Sequence, residues 1–282
     1  MKRISNDTQW GKDDYLLLEA GELVALARKH DNTLSGAMRD RSWFGATYQE
    51  FKQRIETGDN SLVEQSDVHL AKIEDQVPMS RGWRNVDDVV GAVPNVPAFL
   101  AGHPQCMRRR QRAMRDTAPL AIFMDLTSSA GIGSREVQNR GIVLLALTRL
   151  LVEHRPVELW VGTALGGGTS YRGKAVSATV AWRIDTAPLD LARAAYHVSA
   201  TAMARGFGYQ MAHAELNMPH GAWPFGNHDL HCKTAERRLK DVFAGQELLY
   251  VPPIYLGDAL TQDPVGWVKR VMAQYVGTEE AA

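Results

Sequence analysis

Asp125, Thr127 and Ser129 set a carboxylate and two hydroxyls at alternate positions of one short segment, Asp125-Leu126-Thr127-Ser128-Ser129. Oxygens at i, i+2 and i+4 in a loop can converge on a hard cation such as Mg²⁺, which takes octahedral oxygen ligation and keeps several waters. The same residue types also begin helices for a simpler reason: Asx and Ser/Thr turns satisfy backbone N–H groups locally, with no ion. The segment therefore has two readings, a Mg²⁺ site or a turn that starts a helix.

A second group is cationic. Arg108, Arg109, Arg110, Arg112 and Arg115 put five guanidinium groups within eight residues. Guanidinium groups contact phosphates and stack on exposed bases, so this run is a candidate surface for single-stranded DNA. Trp83 lies between Arg81 and Arg84, and Trp43, Phe44 and Tyr48 are further aromatic side chains for base stacking. The competing expectation is a solvated basic turn paired to acidic residues of the N-terminal segment, with the aromatics in the core.

A third group, His220, His228, Asp229, His231 and Cys232, contains zinc-binding types, but its spacing matches no structural zinc pattern. A hydrogen-bonded loop is expected there. Gly131-x-Gly133 and Gly166-Gly167-Gly168 lack the spacing of dinucleotide loops, and there is no GxxxxGK[ST] run. Ser128 and Ser129 do not sit in a GxSxG elbow. No complete catalytic signature is present, and a non-enzymatic protein with no cofactor beyond Mg²⁺ is expected.

Composition bounds what can position these groups. The 282 residues are 45% hydrophobic and 23% charged, close to a globular average. Cys106 and Cys232 form no CxxC pair, the N-terminus is polar, and no apolar run approaches the roughly 20 residues that span a bilayer. A cytoplasmic protein with no membrane partner is expected. Net charge is zero, yet residues 1–100 hold 12 Lys/Arg against 16 Asp/Glu and residues 101–282 hold 20 against 16, about −4 and +4. Nucleic acid would have to be held by a local basic patch.

The first hundred residues suggest a helical layer. Leu17, Leu18, Val24, Leu26 and Ala27 fit an amphipathic helix over Asp13–Lys29, and Thr47-Tyr48-Gln49-Glu50 has capping-box spacing, with Gly58 as a stop. Glycines and prolines punctuate Pro78 to Pro104, predicting a packed connecting segment of short strands or turns and a boundary between residues 1–104 and an α/β core over 105–282. From Ala118 strands and helices alternate. Pro119–Met124 is a strand covered on both faces, and Ser134 can cap a helix that runs to Glu153. Val157–Leu165 and Ala175–Ile184 are strands around a glycine turn, and Leu189–Arg205 is a helix. A charged helix over Thr234–Phe243, a strand over Glu247–Val251 and a helix over Pro264–Tyr275 complete the order. This β-α-β-β-α order predicts an α/β three-layer sandwich with a largely parallel sheet.

Several segments together resemble a phage-associated family of unknown function with a degenerate von Willebrand type A-like core. They are Trp43–Phe51, Val96–Pro104, Asp125–Gly131 with Asn139-Arg140-Gly141, and Leu249–Pro253. The resemblance implies a metal-ion adhesion site at Asp125, Thr127 and Ser129, for which Thr169 and Asp185 are the only later ligands on offer. The alternative function it implies is a protein-interaction module, with or without the divalent metal. Size and class also resemble the single-stranded-DNA-binding cofactors that phages use to bring their RNA polymerase to opened promoters. That likeness implies RNA polymerase as a partner and a host-cytoplasm location. Trp267, Tyr250 and Tyr255 are candidates for a homo-oligomer surface.

Overall fold

A computed structural model describes residues 1–8, 11–74, 83–112, 119–128, 131–169, 175–218, 228–254 and 259–276. For residues 7–8, 11–12, 73–74, 83–86, 110–112, 167–169, 175–176, 228–234 and 259 it describes the backbone alone.

The chain begins with an antiparallel hairpin, β1 (Lys2–Thr8) and β2 (Gly11–Leu18). The helix expected over Asp13–Lys29 thus starts later. Tyr15 and Leu17 are buried on one face while Leu16 and Leu18 are buried on the other, a period-two pattern that only a strand satisfies. At Glu19 the pattern changes: its N–H donates to the Glu22 carboxylate at 2.9 Å and α1 (Ala20–Lys29) follows. Then come α2 (Asp31–Ala37), α3 (Arg41–Phe44) and α4 (Tyr48–Thr57). The expected capping box opens α4, with Glu50 N–H on Thr47 Oγ1 at 3.2 Å and Thr47 N–H on Glu50 Oε2 at 2.7 Å. Gly58 ends it at φ 75°, against the backbone of Ala192, and α5 (Asn60–Glu74) completes the run.

The punctuated segment yields short elements, as its composition predicts: β3 (Trp83–Asp88), β4 (Val93–Pro94), α6 (Val96–Leu100) and β5 (Met107–Arg112). The three strands form a small antiparallel sheet in the order β3-β5-β4. The first five residues of the arginine run are therefore strand, where a basic turn was the competing expectation.

β6 (Leu120–Asp125) is buried at every position. It leads to α7 (Ser134–Val152), whose N-cap position is Gly133 and not Ser134. β7 (Val157–Thr169) runs straight through the triple glycine, which makes an irregularity in its pairing with β8 (Ala175–Ile184) instead of a turn. Asp190 caps α8 (Leu191–Ser199), accepting from Arg193 N–H at 3.1 Å. The single helix expected over Leu189–Arg205 is broken: Ala200 is extended, a π-helical turn spans Ala202–Gly208, and α9 (Tyr209–Leu216) follows. α10 (His228–Val242), β9 (Glu247–Val251), α11 (Ala259–Gln262) and α12 (Pro264–Tyr275) close the chain.

The result is an α/β protein on a mixed six-stranded sheet, β1-β2-β8-β7-β6-β9. The pairs β2–β8, β7–β6 and β6–β9 are parallel, and β1–β2 and β8–β7 antiparallel, so the expected largely parallel sheet is a mixed one. On one face Leu120, Ile122 and Met124 join the main core with α7 and α8. On the other, Ala121 and Phe123 pack with Trp160, Leu239 and Phe243, the last two brought by α10 and the residue after it. Each fully buried side chain of this size contributes roughly 1.5–3 kcal/mol of transfer free energy. Among the described residues, no helix is long and apolar enough to cross a membrane.

Candidate nucleic-acid interface and the strand-end cleft

The β3–β5 register gathers residues far apart in sequence: Arg112 lies opposite Trp83, Gln111 opposite Arg84, Arg110 opposite Asn85 and Arg108 opposite Asp87. The sheet thus brings the arginine run beside the Trp83-Arg84 pair. Arg108 Nε lies 3.5 Å from Asp87 and Arg109 Nε 2.6 Å from Asp88, with both guanidinium groups about half exposed. Exposed pairs of this kind are worth about 0–1 kcal/mol, so they orient the arginines while leaving them exchangeable for phosphate. Arg81 and Arg115 lie outside the described residues, as do the side chains of Trp83, Arg84, Arg110 and Arg112.

Beside this strand the surface is unusually apolar. Val89, Val90, Val93, Val96, Phe99 and Leu100 are all exposed, Phe99 to 67% and Leu100 to 79%. Contiguous exposed apolar side chains mark contact surfaces. Phe99 is an aromatic that residue spacing did not single out: the glycines and prolines around it predicted a packed connecting segment, and the structure leaves its ring exposed. Of the other stacking candidates, Phe44 is in the core and Tyr48 donates its hydroxyl to Asp31, and neither is free to stack. Trp43 is partly exposed and covered by the Arg205 guanidinium, 4.0 Å from its ring centroid.

At the carboxyl end of β6, Asp125 is 1% exposed. Its Oδ1 accepts the Thr127 N–H at 2.9 Å, and its Oδ2 accepts the Tyr250 hydroxyl at 3.5 Å. Thr127 Oγ1 donates to Ala164 O and accepts from Ala164 N–H, each at 3.1 Å. The hydroxyl stands in for a strand and prolongs the β6–β7 ladder beyond its last pair, Asp125 with Gly162. Ser128 Oγ accepts from Arg205 Nη2 at 3.1 Å. Ser129 and the Thr169 side chain lie outside the described residues. Asp185 cannot join Asp125, because it follows Ile184 at the opposite end of the sheet, opposite Leu159, where it lies 3.7 Å from Arg183. Among the described residues no three His, Cys, Asp or Glu side chains are placed to hold a metal ion. The side chains of the His220–Cys232 candidate also lie outside the description.

Asp125 also borders a cleft beneath α10, lined by Tyr15, Phe123, Ser177, Thr179, Arg238 and Leu239 among others. The chain leaves β6 through α7 to reach β7 on one side, and returns through α10 to β9 on the other. The cleft lies on the sheet face that α10 covers, over the carboxyl-terminal halves of β6 and β7 and the amino-terminal half of β8. Asp13 Oδ1 accepts from Arg238 Nη1 at 2.7 Å and from the Ser177 hydroxyl. Burial pushes the Tyr15 hydroxyl above its ordinary range, and the nearby Asp13 charge pushes it further. No sequence spacing points to this group; only the β2–β8 register joins Asp13 to Ser177.

A family model described as a domain of unknown function (DUF7192) matches residues 13–270. The chain matches no curated protein and no solved structure.

Proposed function

The chain belongs to the DUF7192 family, and from that premise we propose that it is a non-catalytic protein that binds single-stranded DNA through its small antiparallel sheet. One observation carries the reading: β5 lays the arginine run beside Trp83 and Arg84 in a sheet flanked by the exposed Phe99. A basic strand gives salt-sensitive phosphate contacts, and aromatic faces hold unstacked bases without regard to sequence. In this reading the protein is a transcription cofactor of a phage, acting in the host cytoplasm and bringing RNA polymerase to opened promoter DNA. Its core is read as a three-layer sandwich of von Willebrand type A-like order, with helices on both faces of the sheet, in which the Asp125–Thr127 turn has an architectural role.

Fluorescence anisotropy with labelled single- and double-stranded oligonucleotides tests the reading. The expected outcome is tighter binding of the single strand and a steep loss of affinity between 50 and 200 mM salt, as counterion release requires for about three or more phosphate contacts. Absence of binding at the lower salt concentration rejects it.

A further inference from the structure

β1 is an edge of the six-stranded sheet: among the described residues, no strand lies beyond it in the order β1-β2-β8-β7-β6-β9. All seven of its residues pair with β2, from Lys2 opposite Leu17 to Thr8 opposite Gly11, without a bulge. A ladder that closes on Thr8 and Gly11, with two residues between them, ends in a hydrogen-bonded pair. Bonding alternates along a strand, so Lys2, Ile4, Asn6 and Thr8 bond to β2, and the N–H and C=O groups of Arg3, Ser5 and Asp7 point outward. The strand holds no proline or glycine to blunt this edge. Its guards are the charges near its ends, Lys2 and Arg3 at one and Asp7 at the other. Against another copy of the same strand, running the opposite way, those charges attract.

We propose that β1 pairs antiparallel with β1 of a second copy of this chain, joining two six-stranded sheets into one across a two-fold axis. Three properties select a second copy as the occupant. First, outward-bonding residues must face outward-bonding residues, and the register centred on Ser5 achieves this while pairing all seven positions, about 23 Å of strand. The Ser5 residues of the two copies then face each other on the axis. Second, the same register sets Arg3 of each copy opposite Asp7 of the other, an opposite-charge pair on either side of the axis. Arg3 is half exposed, and its present partner Glu215 also takes Lys29 and His30, so Glu215 keeps cationic neighbours when Arg3 turns to Asp7. Third, an isologous contact closes on itself: each copy covers the other's open edge and leaves no template there for further strands. A single strand pair is a small interface, so the dimer is concentration-dependent.

The test is sedimentation equilibrium of the full chain over a range of concentrations, for parent, Ser5→Pro, Asp7→Lys and Leu100→Asp proteins. Ser5→Pro removes an outward N–H and leaves the β1–β2 bonds in place. The parent's mass should rise from that of one chain toward two. Ser5→Pro should raise the dissociation constant about tenfold or more and Asp7→Lys severalfold, while Leu100→Asp, on the exposed apolar patch, should leave it unchanged. Cross-linking reads the register independently, in a Cys106→Ser/Cys232→Ser background. Ser5→Cys should form a disulfide between copies, because facing Cα atoms lie about 5.5 Å apart, and Asn6→Cys should not, its two copies lying more than about 7 Å apart. Ser5 and Asn6 are both exposed, so this arm decides the matter if Ser5→Pro does not fold. A parent that stays a single chain at every concentration overturns the proposal. So does a dimer unaffected by Ser5→Pro and Asp7→Lys, one lost with Leu100→Asp, or one cross-linked equally through Asn6→Cys.

Discussion

Thr127 shows what a side chain of the right type can do without a ligand. Its hydroxyl bonds both the N–H and the C=O of Ala164, where β6 has ended and β7 continues. Replacing it by valine leaves two buried backbone groups without partners, each worth about 1–3 kcal/mol. Thr127→Val should therefore lower unfolding free energy by on the order of 2 kcal/mol, and Thr127→Ser should stay near the parent, as read by urea unfolding with and without Mg²⁺. A loss of stability that appears only with Mg²⁺ present would return this residue to the metal reading. Phe99 lies at the other extreme. It is 67% exposed, so Phe99→Ala should leave the melting temperature unchanged and weaken single-strand binding by about 1 kcal/mol or more, roughly fivefold in Kd, through lost stacking.

Helices and strands carry most of what the sequence made legible. The capping box of α4, the buried run of β6, the bounds of β8 and the Asp263-capped α12 follow from local chemistry that no tertiary contact overrides. Asp13–Leu18 misled because Leu16-Leu17-Leu18 fits either period when both faces are covered, and the covering elements lie more than 100 residues away. The break at Ala200 has no glycine or proline to announce it, and Asp13, Ser177 and Arg238 meet only through register and the seating of α10. How elements seat on one another also sets two expectations. At the α7–α8 contact a Cβ on Gly141 would lie 2.3 Å from Val198 O, so Gly141→Ala must part the helices, costing about 1–3 kcal/mol and lowering the melting temperature by several degrees. His197 joins α8 to the end of α4, donating from Nε2 to Ile55 O at 3.1 Å, and burial pulls its pKa from 6.5 to about 4. Between those values the unfolded chain takes up a proton that native His197 refuses. Stability is thus full above pH 6.5 and falls by roughly 3 kcal/mol as pH drops toward 4. Urea unfolding at pH 7 and pH 4 should show this loss, and His197→Gln should lose correspondingly less.

For the molecule as a whole, zero net charge hides a local excess. Residues 83–112 hold five arginines (Arg84, Arg108, Arg109, Arg110, Arg112) against two acids (Asp87, Asp88), a formal +3 on one small sheet. The exposed valines, Phe99 and Leu100 border that small sheet. A field this local steers DNA only at short range and is screened within about 8 Å at physiological salt, so binding must show itself in its salt dependence. The most direct measurement is the anisotropy of a labelled single strand titrated at several salt concentrations, for the parent and an Arg110→Ala/Arg112→Ala variant. DNA binding along β5 requires a log–log slope that falls by about 1.4 from parent to variant, two phosphate contacts at about 0.7 each, with weaker binding throughout. An unchanged slope and affinity in a variant that melts like the parent would contradict it.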